Sequence, residues 1–157
     1  MNNPIWQSPA VIQHCKLIAN SYHYWTKKQL FADATNDLEL SKSIYYAPFI
    51  VVSHGTEKDP IFNYANLTAQ NLWKLSWEEF TKLPSRLSAE PIEEARRNQL
   101  LEEGRNRGVT YLEKGIRISK EGKRFYIKDV VLFNLLGDNK EYLGQGAIYE
   151  KWEFISE

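Results

Sequence analysis

His14, His23, His54 and the single cysteine, Cys15, are the side chains of this 157-residue chain best suited to holding a metal or acting as base and nucleophile. Their spacing argues against those jobs. His14 and His23 fall on one helical stretch, nine residues apart. That is about two and a half turns, so they face opposite sides and cannot share an ion. A lone cysteine leaves no internal disulfide and no Cys-x-x-Cys pair, which fits a reducing compartment. Ser53 and His54 are neighbours, and neighbours on a strand leave by opposite faces, so they are not a nucleophile with its base. His54 lies in the turn Ser53-His54-Gly55 and is expected to hydrogen-bond a nearby backbone group rather than bind iron. The acid pairs Glu78-Glu79, Glu93-Glu94 and Glu102-Glu103 diverge by about 100° around a helix. None is set for acid–base work. Gly104-x-x-x-Gly108 ends a helix instead of opening one, so it cradles no phosphate. Arg96, Arg97, Arg105 and Arg107 form a basic run, but the glutamates interleaved with them read as a solvated helix face. The expectation is no catalytic residue, no metal and no cofactor.

Composition points the same way. Lys plus Arg equals Asp plus Glu at 20 each, which offers no electrostatic reason to expect nucleic acid or an anionic membrane as partner. The N-terminus has no basic region followed by an apolar run, and no stretch approaches the roughly 18 apolar residues of a membrane span. A soluble, cytoplasmic protein of one domain is expected. Five Trp, nine Tyr and seven Phe supply rings for a core, a pocket wall or a dimer face.

The elements follow from period and caps. Residues 9–31 carry Val11, Cys15, Ile18, Tyr22 and Trp25 at helical spacing, with Ser8-Pro9 as cap and first position. Residues 33–43 are polar and turn-prone, a connector. Residues 44–52 are aromatic and β-branched, a strand with Pro48 at its edge. Residues 59–66 read as a second strand that ends on Asn66. Asn66 is placed to cap a short helix, and Ser76 with Glu79 makes a capping box for another. After an irregular loop at 82–91, residues 92–103 form a helix with Glu93 and Arg97 at i,i+4, stopped by Gly104 or Gly108. Residues 111–119, 124–135 and 142–155 alternate as strands around the turns at 120–123 and 137–140. Short turns make these strands antiparallel. The class is α+β: a five-stranded antiparallel sheet with short helices on one face and an added N-terminal helix.

Helix, two strands, several short helices and three strands is the order of a PAS sensory domain. A narrower likeness rests on His54-Gly55, the run Asp59-Pro60-Ile61-Phe62-Asn63-Tyr64-Ala65-Asn66, and Leu83-Pro84-Ser85-Arg86-x-Ser88-Ala89-Glu90-Pro91. Gly115-x-Arg117-Ile118-Ser119, Gly122-x-Arg124-Phe125 and Gly144-Gln145-Gly146-Ala147 continue it. Together they resemble the MEKHLA domain, a PAS-related family of cyanobacteria and plants, over about residues 44–152. The resemblance implies residues 44–157 as a PAS-like domain, with 1–43 as an amphipathic helix and connector ahead of it. It also implies a non-catalytic regulatory or sensory role through a small ligand, a protein partner, or both. A small enzyme using the same cavity and a ligand-free adaptor are the alternatives.

The resemblance also places a ligand cavity between the inner sheet face and the helices opposite. The wall would draw on Phe62, Tyr64, Leu72, Leu83, Leu100, Leu101, Ile127, Phe133 and Ala147. Asn63, Arg86, Arg117 and Gln145 are the polar candidates. The competing reading is a solid core, with Arg86 and Arg117 paired to Glu90 or Glu113. The ligand would be small, apolar or aromatic, and held without a covalent bond. Photochemistry of the light-oxygen-voltage type needs a cysteine where this chain has Ser85, so no adduct is expected. Non-covalent flavin binding stays open with nothing in the sequence to support it. No homeodomain, zipper or kinase segment is seen, so the output would be an unknown protein partner or a homodimer. The stripe of Val11, Ile18, Tyr22 and Trp25 within residues 9–31 would either form a twofold dimer face or dock on the domain's own sheet.

Overall fold

Polar caps decide where the short helices begin. In a computed structural model, which describes residues 3–156, the Asn66 side chain accepts from the Ala69 amide and opens α3 (Leu67–Trp73). Ser76 and Glu79 form the reciprocal capping box of α4 (Trp77–Phe80). Asn36 accepts from the Glu39 amide at 2.9 Å and opens a further helix, α2 (Asp37–Tyr45), where a connector was expected. Its signal was present: Ser41, Ile44 and Tyr45 form a buried i, i+3, i+4 stripe behind the Asn cap. The boundary expected at residue 43 therefore falls inside α2, and the first strand, β1, is Ile50–His54 rather than 44–52.

The two long helices open on proline. α1 (Pro9–Thr26) stops short of residue 31, at Lys27 in the left-handed region (φ 65). α5 (Pro91–Arg107) runs through Gly104 and ends at Gly108 (φ 90). A Cβ on Gly108 would sit 2.1 Å from the Trp25 ring, so this position needs glycine for backbone and space alike. At Gly104 a Cβ would come within 2.8 Å of Leu132 Cδ2 and 3.2 Å of Gln145 Nε2. Its absence lets α5 lie close upon the sheet.

That sheet is antiparallel, in the order β2 (Phe62–Ala65), β1, β5 (Tyr142–Tyr149), β4 (Arg124–Leu136), β3 (Val109–Ile118). A sixth strand, β6 (Lys151–Phe154), pairs with the first part of β4, so the single last strand expected at 142–155 is split at Glu150. The split belongs to a fault line across the sheet. Ile127 and Val130 of β4, three apart, share one core. Tyr149 and Trp152, also three apart, pack in it too. Leu112 and Arg117 of β3, five apart, line one cavity. Odd spacings on a regular strand point to opposite faces. Asp129, in the left-handed region at φ 53, marks the break on β4.

The two faces of the sheet carry two cores. On the inner face, Val52, Phe62, Phe125, Ile127 and Val130 pack with Leu72 and Trp73 of α3 and with Phe80. On the outer face, Val51, Tyr64, Phe133, Leu135 and Ile148 pack under Cys15 and Ile18 of α1, both fully buried. Tyr22 meets Phe133 edge to face, and Trp25 Nε1 donates to the Asn134 carbonyl at 3.0 Å. The helix stripe docks on its own sheet. A dimer built on Ile18, Tyr22 and Trp25 would find these side chains already engaged.

Candidate functional site

Between the inner sheet face and α5 lies a cavity of about 60 Å³. The sheet contributes Val52 and His54 of β1, Phe62 of β2, Leu112 and Arg117 of β3, Ile127, Val130 and Leu132 of β4, and Gln145, Ala147 and Tyr149 of β5. Trp73 of α3 and Arg97, Leu100 and Leu101 of α5 close it. A second hollow of about 180 Å³ adjoins it, sharing Arg97, Leu100, Leu112 and Arg117 as the common wall. The four inward positions Arg97, Leu100, Leu101 and Gly104 recur at i, i+3, i+4, i+7, the period of a helix face laid on a sheet.

A chain of side-chain hydrogen bonds ties sheet to helices at one end of the cavity. His54 and Gln145 are paired across β1 and β5, so their side chains leave by the same face. Gln145 Nε2 donates to the Leu101 carbonyl of α5 at 2.9 Å, which turns its Oε1 toward His54 Nε2 at 3.0 Å. His54 Nε2 therefore carries the proton. Nδ1 is left to accept from the Ser85 hydroxyl at 3.0 Å. Ser88 Oγ donates to the Ser85 carbonyl at 2.7 Å and braces that turn. His54 is 5% exposed; burial first, and the nearby Arg97 charge second, pull its pKa down to about 4. The imidazole is neutral at physiological pH.

The other end is lined by more donors than the chain's own acceptors there satisfy. Arg97 is 7% exposed. Arg117 is partly buried and spends Nη1 on its neighbour's carbonyl, Ile116, at 2.7 Å. Among the described residues neither guanidinium forms an ion pair. Burial, then the charge of Arg117, draws the Arg97 pKa down to about 9, so it stays charged at neutral pH. Trp73 Nε1 and the Tyr149 hydroxyl, both buried, have no hydrogen-bond partner. Burial pushes the Tyr149 hydroxyl far above the ordinary tyrosine range.

Of the thirteen residues expected at the site, seven line the cavity: Phe62, Leu100, Leu101, Arg117, Ile127, Gln145 and Ala147. Leu72 and Leu83 pack in the inner core without reaching it. Four expectations are corrected. Tyr64 and Phe133 lie in the outer core under α1. For Phe133 the reason is the break at Asp129, which turns the alternation begun at Ile127 onto the other face. Asn63 is exposed and accepts from Ser53 Oγ at 2.5 Å, on the side where His14 meets the same hydroxyl at 2.7 Å. Arg86 is half-buried and pairs with Asp59 at 3.1 Å, neither in the cavity nor with Glu90 or Glu113. His54 is a further correction, since it closes a strand and bonds two distant side chains rather than nearby backbone.

Sequence reasoning missed Arg97, Trp73 and Tyr149. Arg97 was legible as the first member of the inward stripe on α5, but the flanking charges hid it. Among the described residues no group of three or more His, Cys, Asp or Glu side chains could hold a metal, and no helix is long and apolar enough to cross a membrane.

The MEKHLA domain, as a family model, matches residues 12–154. That range takes in most of α1 as well as the sheet. No curated protein matches the sequence. Among solved structures, the PAS domain of a protein from Colwellia psychrerythraea superposes with a TM-score of 0.61 at 17% identity, covering 73% of this chain and 92% of that one. A light-oxygen-voltage domain studied with a flavin analogue gives 0.60 at 18% identity, over 75% of this chain and 85% of that one. A PAS domain from a two-component sensor histidine kinase gives 0.56 at 16% identity, over 73% and 91%. At such identities the likeness is one of fold, and the fold is PAS-like.

Proposed function

We propose, for a chain that belongs to the MEKHLA domain family, the job of a non-catalytic regulatory sensor. Its inner cavity would receive a small ligand, and occupancy would be felt by α5. One observation carries this reading. The cavity wall is joined to the elements around it by side-chain bonds from His54 to Ser85 and Gln145, and from Gln145 to the Leu101 carbonyl. A ligand that presses on this wall alters bonds reaching both the Ser85 turn and the last turns of α5. Sensing in a PAS fold needs this kind of link between pocket and surface, because a ligand shifts a conformation only through contacts that differ between two states.

The Ser85–His54 pair has the distance of a nucleophile and its base, and an enzyme reading starts there. Three features weigh against it. Ser85 does not line the cavity. The third member is the neutral amide of Gln145, which cannot stabilise an imidazolium as a carboxylate does. Burial and the Arg97 charge also hold His54 far below the pKa of a base poised for neutral pH. The partner would be a protein surface, or a second copy through exposed residues of 9–31, in a cytoplasmic setting.

Native mass spectrometry and an absorption spectrum of the purified protein, followed by thermal melts with small aromatic and aliphatic compounds, test the receiver role. The expected result is a colourless protein whose melting temperature rises with a subset of these compounds. That rise should vanish in Ala147→Phe, which fills the cavity. A band near 450 nm or a Soret band would overturn the expectation of a cofactor-free protein.

A further inference from the structure

The donors facing the cavity outnumber its free acceptors. Arg97 and Arg117 bring two guanidiniums to one wall, and Trp73 Nε1–H and the Tyr149 hydroxyl bring two more unpartnered polar groups. The acceptors nearby are already engaged. His54 Nδ1 takes the Ser85 proton, and Gln145 Oε1 takes the proton on His54 Nε2. A guanidinium buried beside a like charge, with Glu93 and Glu94 near but no carboxylate paired to it among the described residues, is costly to maintain. Such an arrangement persists where a counter-ion arrives from outside the chain. The rest of the wall is apolar: Leu100, Leu101, Leu112, Ile127 and Val130.

Resting on the reading of this cavity as a receiver site, we propose that its ligand is a small apolar or aromatic monocarboxylate. The carboxylate lies between Arg97 and Arg117, and the body of the acid lies among Leu112, Ile127 and Trp73. The planar fork of a guanidinium matches a carboxylate edge to edge, and Trp73 and Tyr149 supply further donors to its oxygens. Wall chemistry and size narrow the class. Glu93 and Glu103 of the outer hollow are matched by Arg96 and Lys114, so it is the apolar inner wall, suited to a hydrocarbon body, that disfavours a phosphate dianion. Hollows of about 60 and 180 Å³ are far below the roughly 300–1,000 Å³ of a drug-sized site, which disfavours a flavin.

The test compares matched acids and amides: benzoate with benzamide, and isobutyrate with isobutyramide, with inorganic phosphate as a further probe. Melting temperature is read in the full chain, in Arg97→Met and in Arg117→Met. For the unchanged chain, an acid at ten times its dissociation constant should raise the melting temperature by roughly 3–6 °C, and its amide by clearly less. Arg97→Met removes an uncompensated buried charge, so it should melt no lower than the unchanged chain without ligand, yet lose the response to the acid. Arg117→Met should lose the response as well, which tests the second guanidinium independently of the first. Amides as effective as acids, phosphate as effective as benzoate, or an undiminished acid response in both variants would overturn the carboxylate inference and leave the receiver role standing. A lower melting temperature for unliganded Arg97→Met would make that charge structural and overturn the inference too. A chain that responds to neither acids nor amides would overturn both.

Discussion

Acid should destabilise this domain at His54 at a pH where its carboxylates are still ionised. The folded protein holds His54 at a pKa of about 4, whereas an unfolded chain offers it the ordinary 6.5. The folded state keeps the imidazole neutral while the unfolded state takes a proton, so unfolding gains from every proton bound below pH 6.5. Stability from this source is complete above pH 6.5 and is lost as the pH falls toward 4. Each decade of proton concentration in that interval is worth about 1.4 kcal/mol, and by pH 5 nearly one and a half decades have been crossed. His54 alone therefore costs about 2 kcal/mol between pH 8 and pH 5. The charged groups that set its environment are Arg97, which disfavours the imidazolium, and the weaker Glu57, which favours it. His14, held at about 4 by burial, adds a loss of similar size, so the two must be separated. Urea unfolding at pH 8 and pH 5 does this when the chain is compared with His54→Gln. The variant should be less stable at pH 8 but should lose about 2 kcal/mol less on acidification. Nitrogen NMR of the folded protein should show the proton on Nε2 of a neutral ring. A His54 that titrates near 6.5 in the folded state, or an equal acid loss in His54→Gln, would refute the reasoning.

Asn66 should be the most sensitive polar position in the chain. Its side chain accepts from the Val51 amide at 3.2 Å and the Ala69 amide at 3.1 Å, and donates to the Ile44 and Phe49 carbonyls at 3.1 and 2.9 Å. Asn66→Ala leaves four backbone groups without this partner and should cost about 3 kcal/mol or more in urea unfolding. Asn66→Asp should not rescue it, because both donors become acceptors facing carbonyls; near-normal stability in either variant would refute the network. Removal of residues 1–31 should leave no folded monomer, since Val51, Tyr64, Phe133, Leu135 and Ile148 lose the cover of α1. Exposure of such side chains costs about 1.5–3 kcal/mol each, comparable in sum with the whole stability of a domain. A soluble truncated chain that melts cooperatively would show α1 dispensable and would reopen its stripe as a surface for self-association, which light scattering reads directly.

Local signals in the residues were enough for the class of fold. The caps at Asn66 and Ser76, the proline start at Pro9 and the turns between the late strands all act within a few residues. Their chemistry is the same wherever the chain finds itself. The helix at 37–45 was legible by the same rule in Asn36 and the stripe of Ser41, Ile44 and Tyr45, and a polar composition masked it. The candidate site was legible only in part. Ile127, Gln145 and Ala147 could be placed by alternation along their strands, but alternation fails at Asp129 and between Phe62 and Tyr64, where the register with β1 shifts. A single left-handed residue there sends Phe133 to the opposite face, and nothing in residues 124–135 read alone announces it. Arg97 looked like half of an exposed pair with Glu93 because a helix taken by itself has no inside. The sheet, brought close at Gly104, decided which side of α5 is buried. His54 met Gln145 across 91 residues of chain, and Ser85 across 31. Capping and turn chemistry are short-range and can be read from neighbours in sequence, whereas burial, pKa and the pairing of polar groups depend on what the fold brings from far away.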